Sequence, residues 1–195
     1  MGRGRENPGS EGALPWEVSE RDMCALKPQH RQNAAVCTTM TPMIRLWLMK
    51  SEPGVFSIDD LARADNRTGG WDGVRNYQAR NFLKAMRKGD RAFFYHSSVQ
   101  PPAVVGTVEV VREAYPDPTQ FDKKSAAYDP AASQDNPRWF QVDVRLLAKF
   151  KNPVGLEAIK SSPELRDMPL LRHSRLSVQP VTPRQWKRIE QMAGH

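Results

Sequence analysis

The chain has 195 residues, 39% of them hydrophobic, enough for one domain with a core and room left for a tail. Lys and Arg outnumber Asp and Glu by 29 to 22, giving a net charge of +7, and no apolar run reaches the ~18 residues of a membrane-spanning helix, so no membrane partner is expected. Cys24 and Cys37 are too few for a disulfide framework and fit no metal-ligand spacing, so neither metal nor cofactor is expected and a reducing, intracellular location is the default. That location would be the cytoplasm of a bacterium; in a eukaryote the nucleus is open.

Residues 1–43 are rich in Pro, Gly, Ser, Gln and charge without a sustained apolar period, and are expected to be a disordered tail or to precede the true start at Met43. They lack the apolar stretch of a secretory signal, and Glu6 stands where Ser or Thr would suggest myristoylation at Gly2. Five basic and five acidic residues cancel there, so 24 basic residues face 17 acidic ones in residues 44–195. That surplus attracts phosphate and fits a nucleic-acid partner; a merely basic soluble protein is the alternative.

From Ile44, IRLWLMK predicts a buried first strand. Pro53 and Gly54 break it, and Ser57 with Asp60 three residues on predicts the start of a short helix, IDDLARA. NRTGGWDG is loop chemistry, after which Asn76 can cap a helix over residues 77–90 closed by Gly89. RAFFYHS, PPAVVGTVEVVREAY and RWFQVDVRLLAKF predict three strands. The last two are separated by residues 117–137, a run of turn formers read as either a flexible rim or a disordered excursion. Short helical pieces follow, cut by Pro153, Pro163 and Pro169; a short strand and a helix begun by Thr182 and Pro183 end the chain. The sum is an α+β domain over residues 44–195, a mostly antiparallel, barrel-like sheet with peripheral helices.

Two runs carry the chemistry. In WDGVRN, Trp71 lies in a Gly-rich loop, a poor place for a core residue, and offers an indole face to a ligand. Arg75 is a fork of donors that can hold phosphate or pair with an acid such as Asp72, and Asn76 can meet a base edge or simply cap its helix. In YHS, Tyr95, His96 and Ser97 alternate sides at a strand end, so two of them can face one cavity. Ser51, beside Lys50, completes a Ser, Lys and His set, yet no GxSxG, HExxH or Walker sequence is present.

LWLMKSEP, WDGVRNYQARNFL, GDRAFFYHSS, VVGTVEVV, RWFQVDV and RLSVQPVT, in that order, resemble the EVE domain family from about Ile44 to near the C-terminus. The resemblance implies a PUA-like mixed barrel, similar to the YTH domains, and a monomeric, non-catalytic reader of a modified base, either modified cytosine in DNA or a modified RNA base. On that pattern Trp71 matches the first aromatic cage position and Trp139 a second or neighbouring tryptophan, or else a core residue; Lys50 and Ser51 match the strand end touching the base edge, and Ser177, Val178 and Gln179 a run closing the pocket. Trp47 shares a strand face with Met49 and Ser51, or else fills the barrel core. The base would stack on Trp71 and meet Asn76, Ser51, Ser97 and Gln179, while Arg75, Arg80, Lys50 and the loop residues Lys123 and Lys124 hold flanking phosphates. An enzyme of the related ASCH type, using Lys50, Tyr95 and His96 to move protons, is the competing reading.

Overall fold

In the computed structural model, which describes residues 44–194, the apolar run after Met43 forms β1 (Leu46–Ser51). It is followed by α1 (Ile58–Arg63), β2 (Thr68–Gly70), α2 (Tyr77–Ala85), β3 (Arg91–His96), β4 (Ala103–Pro116) and β5 (Phe140–Gly155). The chain then adds α3 (Leu156–Ser161), α4 (Pro169–Arg172), β6 (Val178–Pro180) and α5 (Pro183–Ala193). Residues 1–43, to which the tail and the alternative start belong, lie outside the described residues.

One six-stranded sheet organises these elements in the order β2-β5-β4-β3-β1-β6. β1 pairs β3 in parallel and every other pairing is antiparallel; the parallel pair requires the crossover that α1, β2 and α2 supply. The α+β class and the mostly antiparallel mixed sheet are as the sequence predicts. The ladder itself is open, with β2 and β6 at its edges, and α2 contacts β4, β5 and β6 across it.

Alternation along the strands separates two cores. Trp47 and Met49 of β1 with Ala92 and Phe94 of β3 face α1 and α2, where Ile58, Leu61, Ala79 and Leu83 are buried. Leu48, Phe93 and Tyr95 face the other way, toward Ile159, Trp186 and Ile189, with the Phe93 and Trp186 rings stacked 3.9 Å apart. Where β4 crosses α1 no side chain fits: a Cβ on Gly106 would lie 2.3 Å from the Ala148 carbonyl oxygen and 2.5 Å from Ile58 Cδ1.

Several local expectations change: NRTGGWDG, read as loop, contains β2, and β5 continues past Phe150 through Pro153 to Gly155. α2 ends at Ala85, four residues before Gly89, because Met86 turns to extended backbone; Gly89 instead takes a left-handed φ of +92° in the turn before β3. Residues 117–137 form neither a disordered excursion nor a loose rim. The fully buried Gln120 donates from Nε2 to the carbonyls of Asp117 (2.7 Å) and Trp139 (2.9 Å), and its Oε1 accepts from the amides of Arg138 and Trp139. One side chain thus ties both ends of the segment.

Candidate functional site

A cavity of about 420 Å³ opens where four parts of the chain meet: the end of β1 (Lys50, Ser51), the following turn (Val55, Phe56), residues 70–76 from the last residue of β2 onward, and Arg175 and Ser177 ahead of β6. Its size falls in the range of small-ligand sites, ~300–1,000 Å³.

Trp71 lines this cavity but does not stand in solvent; it is 4% exposed and belongs to the first core. Its ring meets Phe94 edge-on at 5.0 Å and Phe56 at 6.1 Å, and its amide donates to Val142 of β5 at 2.8 Å. The Gly-rich loop therefore carries a core residue, against the sequence expectation, because the backbone bond to β5 draws the loop over the sheet. The indole forms a fixed inner wall, held in the edge-to-face geometry that aromatic pairs favour.

Beyond Trp71 the run is fastened to the long loop. Gly73 takes φ +70°, a conformation glycine adopts without steric cost, and its amide donates to Asp117 Oδ2 at 3.0 Å. Arg75 pairs with that same carboxylate at 2.8 Å rather than with Asp72. Its remaining donors reach the Ala127 carbonyl (2.7 Å), the Val74 carbonyl and Thr119 Oγ1, and it lies 5.4 Å above the Trp139 ring. Burial opposes the charge on Asp117, but the hydrogen bonds from Thr119 and Arg75 outweigh it and hold the carboxyl below its usual value. Asn76 caps α2, its Oδ1 accepting from Ala79 at 3.0 Å, and still lines the cavity; its amide nitrogen has no partner in the described residues.

Lys50 fastens the other rim, with Nζ donating to the carbonyls of His173 (3.3 Å) and Ser174 (3.1 Å) just past α4; burial pushes its pKa down. Its backbone amide donates to Ser177 at 2.7 Å. Ser51 Oγ donates to the Phe56 carbonyl at 2.6 Å, closing the turn. Arg175 is exposed at the mouth and makes no hydrogen bond or ion pair among the described residues. Burial, then the nearby Asp117 charge, pushes the Asp72 carboxyl up, with Arg75 opposing.

Of the residues singled out by sequence, Lys50, Ser51, Trp71, Arg75, Asn76 and Ser177 converge here. The YHS run does not supply a facing wall. Tyr95 points into the second core, where burial raises its pKa. His96 Nε2 accepts from the Ile58 amide at 3.1 Å, at the start of α1, and Ser97 bonds the Ser51 carbonyl through its amide and its hydroxyl. Gln179 sits opposite Leu48, hence on the second-core face, fully buried, with its amide on the Leu176 carbonyl and Oε1 unpartnered. Trp47 is a core residue, its Nε1 donating to Asp90 at 3.0 Å. Trp139 binds Asp129 through Nε1 at 2.7 Å and packs on Tyr77. Arg80 caps the same stack, over Tyr77 and bonded to Asn81 and the Arg138 carbonyl. Lys123 and Lys124 are exposed on the long loop.

Sequence reasoning missed Val55, Phe56 and Arg175 and treated Asp72 only as a partner for Arg75. Asp72 and Arg175 lay within the runs WDGVRN and RLSVQPVT; the two turn residues followed a Pro-Gly break and gave no signal of their own.

The cavity thus brings Trp71 and Phe56 together with Asp72, Asn76, Lys50, Arg75 and Arg175, in a volume of the size small ligands occupy. The EVE domain model matches residues 45–192, and the chain belongs to the EVE domain family. It is 42% identical over 194 residues to thymocyte nuclear protein 1 of Danio rerio, covering 90% of this chain and 84% of that protein. A solved structure of a hypothetical protein from Leishmania major is 47% identical, with a TM-score of 0.75 over 77% of this chain and 95% of that one. The human THYN1 protein, solved in complex with 5-methylcytosine-containing DNA, is 43% identical, with a TM-score of 0.74 over 77% of this chain and 98% of that one.

Proposed function

We propose that this domain binds DNA and reads a modified cytosine by taking the base into the cavity between β1 and the WDGVRN run, without turning it over. The observation that carries the reading is the convergence on one cavity of an aromatic wall, a carboxylate and an amide. The solved complex of the 43% identical human protein with 5-methylcytosine-containing DNA supports it. A base entering the cavity would lie against Trp71 and Phe56. Cytosine offers an exocyclic amine as donor beside ring nitrogen and carbonyl acceptors. Asp72 is the acceptor suited to the amine, and the Asn76 amide nitrogen the donor suited to the ring. A 5-methyl group would add apolar contact, worth ~1–3 kcal/mol for one carbon, so discrimination should be about 10- to 200-fold.

Arg175, Lys50 and the wider basic surplus supply the attraction for flanking phosphates, and a nuclear location in a eukaryotic cell accords with this reading. The test is a set of otherwise identical DNA and RNA oligonucleotides carrying cytosine, 5-methylcytosine or 5-hydroxymethylcytosine. Tighter binding to a modified DNA, with the oligonucleotide recovered intact, is the expected result. Equal affinity for plain and modified cytosine would overturn the reading, a preference for RNA would move it to the RNA class, and a new product would restore the enzyme.

A further inference from the structure

Val55 is 82% exposed, the highest value among the exposed large hydrophobic side chains of the described residues. A single exposed valine is ordinary on a protein surface; this one lines the mouth of the cavity. It also stands on a turn built to hold still. The Glu52 carbonyl accepts from both the Val55 and Phe56 amides at 2.9 Å, and Ser51 Oγ ties the Phe56 carbonyl at 2.6 Å. The Phe56 ring is seated 6.1 Å from both Trp71 and Phe94. Immediately after it, Ser57 and Asp60 close a capping box on α1. The turn is therefore fixed at both ends while its apolar tip points out beside the opening.

A base drawn from a duplex into this cavity leaves a gap between two apolar base faces and an unpaired partner opposite. Water fills such a gap poorly, and proteins that distort duplexes insert an apolar side chain between the steps. We propose that Val55 is that wedge, and hence that the ligand is double-stranded DNA from which the base is extruded, rather than a strand already open. This rests on the base-pocket reading above. In a single strand no stack has to be refilled, so Val55 should matter more for the duplex than for the open strand.

Because Val55 is outside the core, Val55→Ala and Val55→Ser leave the fold intact, which thermal melting verifies. Binding is measured for a methylcytosine oligonucleotide as a duplex and as the same sequence in single-stranded form, with 2-aminopurine next to the methylcytosine reporting unstacking. Both variants are expected to lose ~10-fold on the duplex, with a weaker 2-aminopurine signal, and to lose clearly less on the single strand. Unchanged duplex affinity, or an equal loss on both forms, overturns the wedge while leaving the base pocket standing. Loss of methyl preference by the parent protein on both forms would instead remove the base pocket itself.

Discussion

Arg75 and Asp117, 42 residues apart, meet at 2.8 Å, the carboxylate wholly buried and the guanidinium side chain 23% exposed. Asp117 also accepts from the Gly73 amide, so a single carboxylate fastens the cavity wall to the start of the long loop. Removing one partner of a buried pair strands the other, at a cost of about 3–5 kcal/mol, and the partial exposure of Arg75 favours the lower end. Asp117→Asn should therefore lower stability by ~3 kcal/mol in urea denaturation and weaken methyl preference as the loop loosens. Arg75→Lys should share the second effect, because an ammonium cannot reproduce the four bonds of the fork.

Trp71 combines packing and recognition, and substitutions can separate them. Trp71→Ala empties a core position and should cost ~3–5 kcal/mol. Trp71→Phe keeps an aromatic wall of smaller area, so it should retain the fold and bind plain DNA near the parental level. Its ratio of affinities for methylated over plain cytosine should fall. A variant that melts normally and keeps the full ratio would remove Trp71 from the reading site.

Arg175, exposed and without a protein partner in the described residues, should act through phosphate. Arg175→Ala is expected to weaken binding alike for plain and modified oligonucleotides and to lower the salt slope by ~1. Lys123 and Lys124 on the loop should give the same pattern. A change confined to methylated DNA would assign Arg175 to the base instead.

His96 predicts a pH dependence. Its Nε2 accepts a hydrogen bond from Ile58 and so must be unprotonated. Desolvation by burial, the largest influence, lowers its pKa below the ordinary 6.5, with Asp59 raising and Lys149 lowering it further. A group that binds its proton less readily in the folded state than in the unfolded one stabilises fully above the unfolded pKa. That contribution is lost as pH falls from about 6.5 through the lower folded value. Protonation would also set a positive charge at the start of α1, where the helix dipole disfavours it. Denaturation at pH 7.5 and 5.5 should show the parent protein losing more stability than His96→Gln, which offers an acceptor that does not titrate. Identical losses would count against this role.

Much of the fold was legible because local chemistry and tertiary structure agree. IRLWLMK became β1, between β3 and β6, Ser57 with Asp60 became a capping box, Thr182 with Pro183 opened α5, and Asn76 capped α2. The capping signals are local, needing only residues three apart. The α2 end was misread because a left-handed glycine can end a helix or turn a later loop, and only the path into β3 distinguishes the two. The site was half legible. WDGVRN and the end of β1 do line the cavity, but YHS lies behind it, since strand parity sends Tyr95 to the second core and the start of α1 engages His96.

The sequence by itself determined most of the elements, the family and the run that carries the cavity wall, because periodicity, caps and motif order are properties of neighbouring residues. Only the tertiary structure decided what each polar side chain does there. Arg75 could have met a phosphate, Asp72 or any buried acid, and the fold set it on Asp117 by bringing residues 73–75 and 117–119 together. In the same way the fold seated Trp71 against Phe56 and Phe94 and left Val55 outward. Contacts across 40 or more residues leave no trace in local pattern, because they depend on which surfaces the sheet order makes adjacent.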